Sequence, residues 1–268
     1  MKPLPAGALS DAQCAALCGH LYCQAQVSSS PKCFVVTVGS SAGAPTSVFC
    51  SGTCIVGRPP SDVVPPAFAT ATAADRWARM AWFEAQSVVE FERLAEDLER
   101  LGASPSFIAR ARDAAEDERR HAVVASRLAG RELPVLEPAV FSPRTLERVV
   151  FENFLGGCIN ESASAVKSAY VGLALNDAAL LGVASDEVGH AQLSWDLHHA
   201  LHDRLSRDAR NELGRAGSAL VERMRCADEG LSQEVRVATG DPSAAEWREQ
   251  LSMLSDELWG PALHALRS

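Results

Sequence analysis

The chain has 268 residues, of which 47% are hydrophobic and 6% aromatic, and it carries a formal net charge of −9 at pH 7. This length and apolar fraction are enough for one principal globular domain with a full core. The negative charge and the lack of a basic stripe argue against nucleic-acid binding. The sequence contains no run of about 18 uninterrupted apolar residues, so it predicts no membrane span.

A small cysteine-rich module is predicted for residues 1–58, with one short strand at Phe34–Val38. Six of the eight cysteines lie in this module, and an even number in a short segment favours a disulfide framework. A zinc or cluster site built on the two Cys-x3-Cys pairs is the alternative, and free thiols are a third. The cysteines are Cys14, Cys18, Cys23, Cys33, Cys50 and Cys54.

The location of the protein depends on the role of these cysteines. Disulfides persist in oxidising compartments, so the cysteine-rich module favours an extracytoplasmic location with a trimmed start. The residues that follow Met1 are too few and too rich in proline for a secretory signal. A cytoplasmic location follows if Met1 is the native start.

Helices dominate the remainder of the chain after a proline-rich linker at residues 59–70. The periodicity and the cap residues predict an all-α fold, in which a four-helix bundle occupies residues 71–205. A C-terminal helical pair at residues 206–268 is expected to pack on the outside of this bundle, with Trp247 and Trp259 as anchors. The predicted helices are 72–101, 105–129, 143–172, 177–205, 208–237 and 243–266.

Two Glu-x-x-His segments carry most of the functional information. They are Asp117–His121 and Asp186–His190, and in each segment the glutamate directly follows an aspartate. Residues three apart on a helix lie about 60° from each other, so each segment can direct one oxygen and one nitrogen at a metal ion. The segments therefore predict two halves of one metal site.

Partner ligands follow from the antiparallel geometry, because residues at equal chain distance from a turn lie level with each other. Reflection through Leu101–Ala103 places Glu84 level with Glu118 and His121. Reflection through residues 174–176 places Glu161 level with Glu187 and His190. Two glutamates and two Glu-x-x-His segments form the ligand set of di-iron and di-manganese helical bundles.

The competing glutamates fit this arrangement less well. Glu90 is about 240° from Glu84 around an α-helix, and Glu152 is about 180° from Glu161, so neither shares its neighbour's face. Four buried carboxylates need neutralisation, which two divalent ions provide. An all-oxygen and imidazole set favours two iron ions, with manganese or a mixed pair as alternatives, and it leaves open coordination positions. The alternative is an ordinary solvated charged face.

Four segments of the chain resemble the ferritin-like di-iron carboxylate superfamily over residues 70–205. They are Trp82–Phe91, Asp117–His121, Gly157–Glu161 and Asp186–His190. The resemblance implies that Asp117 supports His190 and that Asp186 supports His121, each through a hydrogen bond to the imidazole. Gly189 stands where the second motif would have its arginine, so Arg120 has no symmetric counterpart.

The leading functional hypothesis is a di-iron oxidase or oxygenase that uses O2 or peroxide to oxidise an unknown small molecule, with an electron donor. No catalytic residue beyond the metal ligands is predicted, and Ser87 and Cys158 are candidates for lining the approach. The alternatives are ferritin-like or rubrerythrin-like iron oxidation, storage or peroxide scavenging, and a non-catalytic binding protein that uses the cysteine-rich module. A monomer or dimer is expected rather than a large shell. His198, His199 and His202 are expected to form a structural or solvated cluster.

Overall fold

The computed structural model describes residues 33–37, 46–50, 58, 68–69, 71–135, 142–226 and 231–266, with the backbone alone for the first two ranges. The predicted strand is one half of an antiparallel pair, formed by β1 (Cys33–Thr37) and β2 (Thr46–Cys50). Their register places Cys33 opposite Cys50. The cysteine side chains of the N-terminal module lie outside the described residues, so the disulfide framework stays a prediction.

The first helical hairpin begins and ends where the cap residues predict. Helix α1 (Ala73–Arg100) starts with a capping box at Thr72, and helix α2 (Pro105–Ala129) starts at the Ser104 cap with proline in its first turn. Gly102 between them has φ +69°, a left-handed conformation that favours glycine. The two helices pack along their length, because each carries a continuous buried face.

The third predicted helix, 143–172, is not one continuous α-helix. It comprises α3 (Leu146–Glu152), a π-helix (Asn153–Glu161) and α4 (Ser162–Leu175). A π-helix has i→i+5 hydrogen bonds, which places more residues in each turn than an α-helix does. Face assignments that assume α-helical angles therefore fail across this segment.

Helix α5 (Ala178–Leu201) returns antiparallel to α4 after a short turn. Asn176 ends α4 in the left-handed conformation, and the Asp177 side chain caps α5 by accepting from the backbone N–H groups of Ala179 and Leu180. Helix α5 also contacts α2, which joins the two hairpins into one helical bundle.

The C-terminal region contains more elements than the sequence predicts. It comprises α6 (Arg207–Cys226), α7 (Gln233–Thr239), α8 (Ala244–Leu254), a second π-helix (Ser255–Trp259) and α9 (Gly260–Ala265). The predicted single helix 208–237 is wrong, because Ser232 has an extended backbone and caps α7 as a new start.

These C-terminal elements pack against the outside of the bundle. Helix α7 contacts α1, and α8 contacts α4 and α6. Trp259 is fully buried in the main core, and Trp247 packs at its edge. No helix within the described ranges combines the length and the hydropathy that crossing a membrane requires.

Candidate metal centre

Six buried carboxylate and imidazole side chains meet in the middle of the bundle. One group combines Glu84, Glu118, His121 and Glu187, and the other combines Glu118, Glu161, Glu187 and His190. Within each group, one ligand atom from every residue lies within 4.8 Å of the others. Metal–ligand bonds of about 2.1 Å place opposite ligands about 4 Å apart, so each group has the size of one coordination sphere.

Each of four chain segments contributes to this cluster. Glu84 lies on α1, the two Glu-x-x-His pairs lie on α2 and α5, and Glu161 is the last residue of the first π-helix. Glu118 and Glu187 belong to both groups, so they occupy the shared middle while Glu84 and Glu161 lie at opposite ends. The structure thus brings together all six residues that the sequence singled out as ligands.

Most of the polar atoms that these residues direct into the cluster are buried without a hydrogen bond. Among the described residues, nine such atoms have no hydrogen-bond partner: Glu84 Oε2, both oxygens of Glu118, Glu161 and Glu187, and Nδ1 of His121 and His190. Leaving one buried polar group unsatisfied costs about 1–3 kcal/mol, and more when it is charged. A cluster of nine is therefore the feature that a bound metal pair would explain, since the carboxylate and imidazole donors would be coordinated.

Two aspartates orient the imidazole rings from outside the cluster. His121 Nε2 lies 3.2 Å from Asp186 Oδ2, and His190 Nε2 lies 3.3 Å from Asp117 Oδ2. Both contacts cross between α2 and α5, as the family resemblance implies. Each contact engages Nε2 and leaves Nδ1 directed at the carboxylates, which fixes the nitrogen that is available to a metal.

Arg120 connects the two aspartates on the outer side of the site. Its Nη2 lies 2.6 Å from Asp117 Oδ1 and 3.1 Å from Asp186 Oδ2. A single guanidinium therefore holds both orienting carboxylates, so the second motif needs no arginine at the position of Gly189. This explains in physical terms how one arginine serves two half-sites.

Burial sets different protonation states along the cluster. Burial and the repulsion from Glu118 and Glu187 raise the pKa of both Glu84 and Glu161. Burial also opposes ionisation of Glu118, but its contacts with His121 and His190 outweigh that effect and lower its pKa to about 2. The end carboxylates therefore favour protonation, and Glu118 in the middle favours the charged form.

The two histidines are more basic than free imidazole. Burial lowers the pKa of each ring, but the carboxylates of Glu118 and Glu187 raise that of His121 to about 12. The carboxylates of Asp117 and Glu118 raise the pKa of His190 to about 9. When the two histidines and the two end glutamates are protonated, they hold four protons, and the charge of these protons equals that of two divalent ions. Two metal ions can therefore replace the four protons without a change in net charge.

A buried arginine at the Glu161 end was missed by the sequence analysis. Arg58 is 2% exposed, and its Nη1 and Nη2 donate to Ser194 Oγ at 3.1 Å and to Asn153 Oδ1 at 3.2 Å. Its guanidinium lies 5.3 Å from the centre of the Phe91 ring. These partners are all neutral, and burial lowers the pKa of Arg58.

The sequence contained one signal for this contact, in the pair Gly156–Gly157. A Cβ on Gly157 would lie 2.7 Å from Arg58 Nη1 and 2.4 Å from Ser194 Oγ, so only glycine leaves room there. Arg58 itself lies at the boundary between the predicted module and the linker, where no periodic pattern exists. Its burial shows that this position belongs to the packing of the bundle.

Ser87 and Cys158, the predicted pocket residues, lie at this same filled end. Both are fully buried. Ser87 Oγ accepts a hydrogen bond of 2.7 Å from the backbone N–H of Arg58. Neither residue lines the cavity described below.

The glutamates that the sequence analysis rejected as ligands contact a different cation. Arg144 contacts Glu90, and its Nη1 lies 2.5 Å from Glu152 Oε2 while its Nε lies 2.6 Å from Asp97 Oδ2. The predicted angle of about 180° between Glu152 and Glu161 was wrong, because a π-helix lies between them. Glu152 is separated from the metal ligands because it forms an ion pair with Arg144.

A cavity of about 30 Å³ opens at the Glu84 end of the cluster. Glu84 and His121 form its inner wall, and apolar side chains of α1, α2, α4 and α5 form its sides. Three buried charged residues complete the lining: Arg76, Lys167 and Asp241. The sequence analysis had not singled out any of these three.

Comparisons with protein-family models, with curated proteins and with solved structures found no match. Six buried donors, two of them shared, form two adjacent spheres that could hold metal ions, and a small cavity reaches one sphere.

Proposed function

We propose that this protein is a di-iron carboxylate oxidoreductase with a ferritin-like four-helix arrangement, which uses O2 or peroxide as oxidant. The observation that carries the proposal is the set of nine buried donor atoms without hydrogen-bond partners among the described residues, on six side chains from four chain segments. A structural ion-pair cluster would leave few such atoms, because buried polar groups in folded proteins are almost always paired.

The donor types favour iron or manganese over softer metals. Four carboxylates and two imidazoles are hard or borderline ligands, and no thiolate belongs to either described group. Six donors shared between two ions leave positions free for a small ligand. Bound iron would supply the redox chemistry that side chains of these types lack.

The chain's own residues prepare the site in three ways. Asp117 and Asp186 hold the rings of His190 and His121 in place, and Arg120 holds both aspartates. Burial of the donor set keeps bulk water out. In the metal-free site, the two basic histidines and the two end glutamates favour their protonated forms, because their pKa values are raised. Metal binding would release these protons.

Peroxide scavenging or iron oxidation is the second candidate, and the cavity size favours it. A single water needs about 10–15 Å³ of cavity measured this way, whereas a cavity that binds benzene measures about 150 Å³. The 30 Å³ beside Glu84 therefore suits a molecule of two or three heavy atoms. If the protein is an oxidase or oxygenase, a larger organic substrate would have to reach the metals by a route other than this cavity.

Metal content is the first test, measured on protein grown with iron and purified without chelator. We expect about two ions per chain, one for each donor group. Glu118→Ala should lose both ions, because Glu118 belongs to both groups. Glu116→Ala on the same helix is the matched control, since Glu116 is an exposed partner of Arg119. Wild-type protein without stoichiometric metal would contradict the proposal.

Turnover separates the two candidate functions once metal is present. The iron-loaded protein is mixed with a chemical reductant and with either O2 or hydrogen peroxide, and consumption of each oxidant is followed with Glu118→Ala as the blank. Fast peroxide consumption without an added organic substrate would favour scavenging. Slow consumption of O2 and of peroxide, together with faster consumption when an organic compound is added, would favour the oxidase.

A further inference from the structure

Two routes of contact connect the guanidinium of Arg58 with His190, one of the six proposed metal ligands. In the first, Arg58 Nη1 donates to Ser194 Oγ at 3.1 Å, and this hydroxyl donates to the backbone carbonyl of His190 at 2.9 Å. In the second, the Phe91 ring centre lies 5.3 Å from the guanidinium and 5.0 Å from the centre of the His190 ring. The guanidinium and the imidazole therefore lie within about 10 Å of each other, a range in which buried charges still interact.

Arg58 carries a positive charge at neutral pH, because a guanidinium is not deprotonated in proteins. Burial lowers the pKa of Arg58, and the charges of Glu90 and Glu161 oppose that effect. Glu90 also contacts Arg144, whereas the oxygens of Glu161 have no hydrogen-bond partner among the described residues. Because Glu161 and His190 belong to the same donor group, the charge of Arg58 acts on that group from two sides of one residue pair.

The surroundings of Arg58 screen this charge only weakly. The side chain is 2% exposed, and its hydrogen-bond partners Ser194 and Asn153 are neutral. Electrostatic interactions are stronger in such buried, low-dielectric surroundings than they are in water. The charge of Arg58 should therefore affect a nearby metal ion more than the charge of a surface arginine does.

A ferric ion carries one more positive charge than a ferrous ion, so a fixed positive charge nearby disfavours the ferric form. Charge, hydrogen bonding and burial around a metal are the means by which a protein sets its reduction potential. We infer that Arg58 raises the reduction potential of the iron held by Glu161 and His190, and thereby makes that iron easier to reduce. The inference rests on the proposed metal centre and adds to it a residue that controls its reduction.

Redox titration of the iron-loaded protein tests this inference, with dithionite as the electron donor. Each ferric ion takes up one electron and becomes ferrous. We expect Arg58→Met to shift this equilibrium about 10-fold toward the ferric form for at least one of the two irons, which lowers its midpoint potential by about 59 mV. Arg58→Lys should stay within about threefold of the wild type, because it keeps the charge but not the planar guanidinium.

Arg110→Met is the matched control, because it removes a positive charge that is partly exposed and paired. Arg110 Nη1 lies 2.6 Å from Asp196 Oδ2, and the Arg110 side chain is 35% exposed. We expect unchanged midpoint potentials in this variant. If Arg58→Met does not fold or does not load iron, Arg58→Gln carries the same test, because its neutral amide can still donate hydrogen bonds to Ser194 or Asn153.

Two results would overturn the inference while the metal centre stands. One is equal midpoint potentials in the wild type and in an iron-replete Arg58→Met protein. The other is the same decrease in Arg58→Lys as in Arg58→Met, because the shape of the side chain and not its charge would then be the cause. A wild-type protein that holds no metal would instead refute the proposed function, and the inference with it. Metal content is determined before any reductant is added, which distinguishes these cases.

Discussion

The two ends of the donor cluster are built from equivalent ligands but closed in different ways. At the Glu84 end, a cavity leads outward to the triad of Arg76, Lys167 and Asp241. At the Glu161 end, the guanidinium of Arg58 fills the space between the π-helix and α5. The duplicated Glu-x-x-His motif thus supplies a symmetric interior, and residues far from the motif make the two ends different.

The charges near the two ends also differ in how they are compensated. Arg58 donates hydrogen bonds to neutral oxygens, and the charges of Glu90 and Glu161 favour its charged form. Arg76 and Lys167 share a carboxylate. One end is therefore filled by a closely packed guanidinium, whereas at the other end two cations share a carboxylate beside a cavity.

The largest expected effect comes from removing one end ligand at a time. Glu84→Ala and Glu161→Ala should each retain about one metal ion per chain, since each leaves the other donor group intact. The lost affinity should exceed the roughly 10- to 100-fold that outer partners of metal ligands contribute. Metal analysis of the two variants measures this loss. Loss of both metals in either variant would instead mean that the two ends load as one unit.

Arg144 should give the largest loss of stability beside the packed end. Arg144→Leu leaves Glu90, Glu152 and Asp97 without their shared buried cation, which should cost about 3–5 kcal/mol in the free energy of unfolding. Urea unfolding measures this loss. Arg112→Leu is the control, because its pair with Glu99 is exposed and should contribute less than about 1 kcal/mol. A similar small loss in both variants would contradict the prediction.

Gly157→Ala tests directly how closely the packed end is filled. The added methyl group would meet Ser194 Oγ and Arg58 Nη1 at distances that no real Cβ contact shows, so we expect a loss of about 1–3 kcal/mol. Gly182→Ala on α5 has open space around its Cβ and should instead stabilise by about 0.5–1 kcal/mol. Thermal or urea unfolding compares the two variants. A neutral Gly157→Ala would mean that Arg58 moves away easily.

The features that the sequence predicted are those encoded by local patterns. The Gly102 and Asp177 turns follow from cap residues, and the six ligands follow from helical spacing together with reflection through those turns. Each step uses residues that are close in sequence or related by one antiparallel hairpin. The helical class and the ends of the first two helices were therefore predictable.

The asymmetry between the ends could not be predicted in this way, because it depends on contacts between distant segments. Arg58 meets Ser194 across 136 positions, and Arg76 meets Asp241 across 165. Neither contact leaves a periodic signature in one sequence. The π-helix was also missed. Its i→i+5 hydrogen bonds leave no periodic pattern in the sequence, where the segment differs from an α-helix only by a glycine pair within an apolar run.

The smallest predicted effect is a pH dependence at the packed end, from His198 on α5. The sequence analysis expected a structural or solvated histidine cluster, and His198 proves to be buried 4.7 Å from the ring of Phe154, with no hydrogen-bond partner for Nδ1 among the described residues. Burial, followed by the proximity of His202 and His199, lowers its pKa to about 4. The folded state therefore holds this ring neutral.

The sign of the effect follows from proton linkage. Below the unfolded-state pKa of about 6.5, the unfolded chain binds a proton that folded His198 does not, so its contribution to stability is full above that pH and is lost as pH falls toward 4. Between pH 8 and pH 5 we expect the stability of the wild type to fall by about 1–2 kcal/mol relative to that of His198→Leu, because all other titrating groups are common to both proteins. His199→Gln, at an exposed neighbouring position, should keep the wild-type dependence. Urea unfolding at both pH values measures the difference, and an unchanged pH dependence in His198→Leu would show that water reaches this ring and that the packed end is not closed.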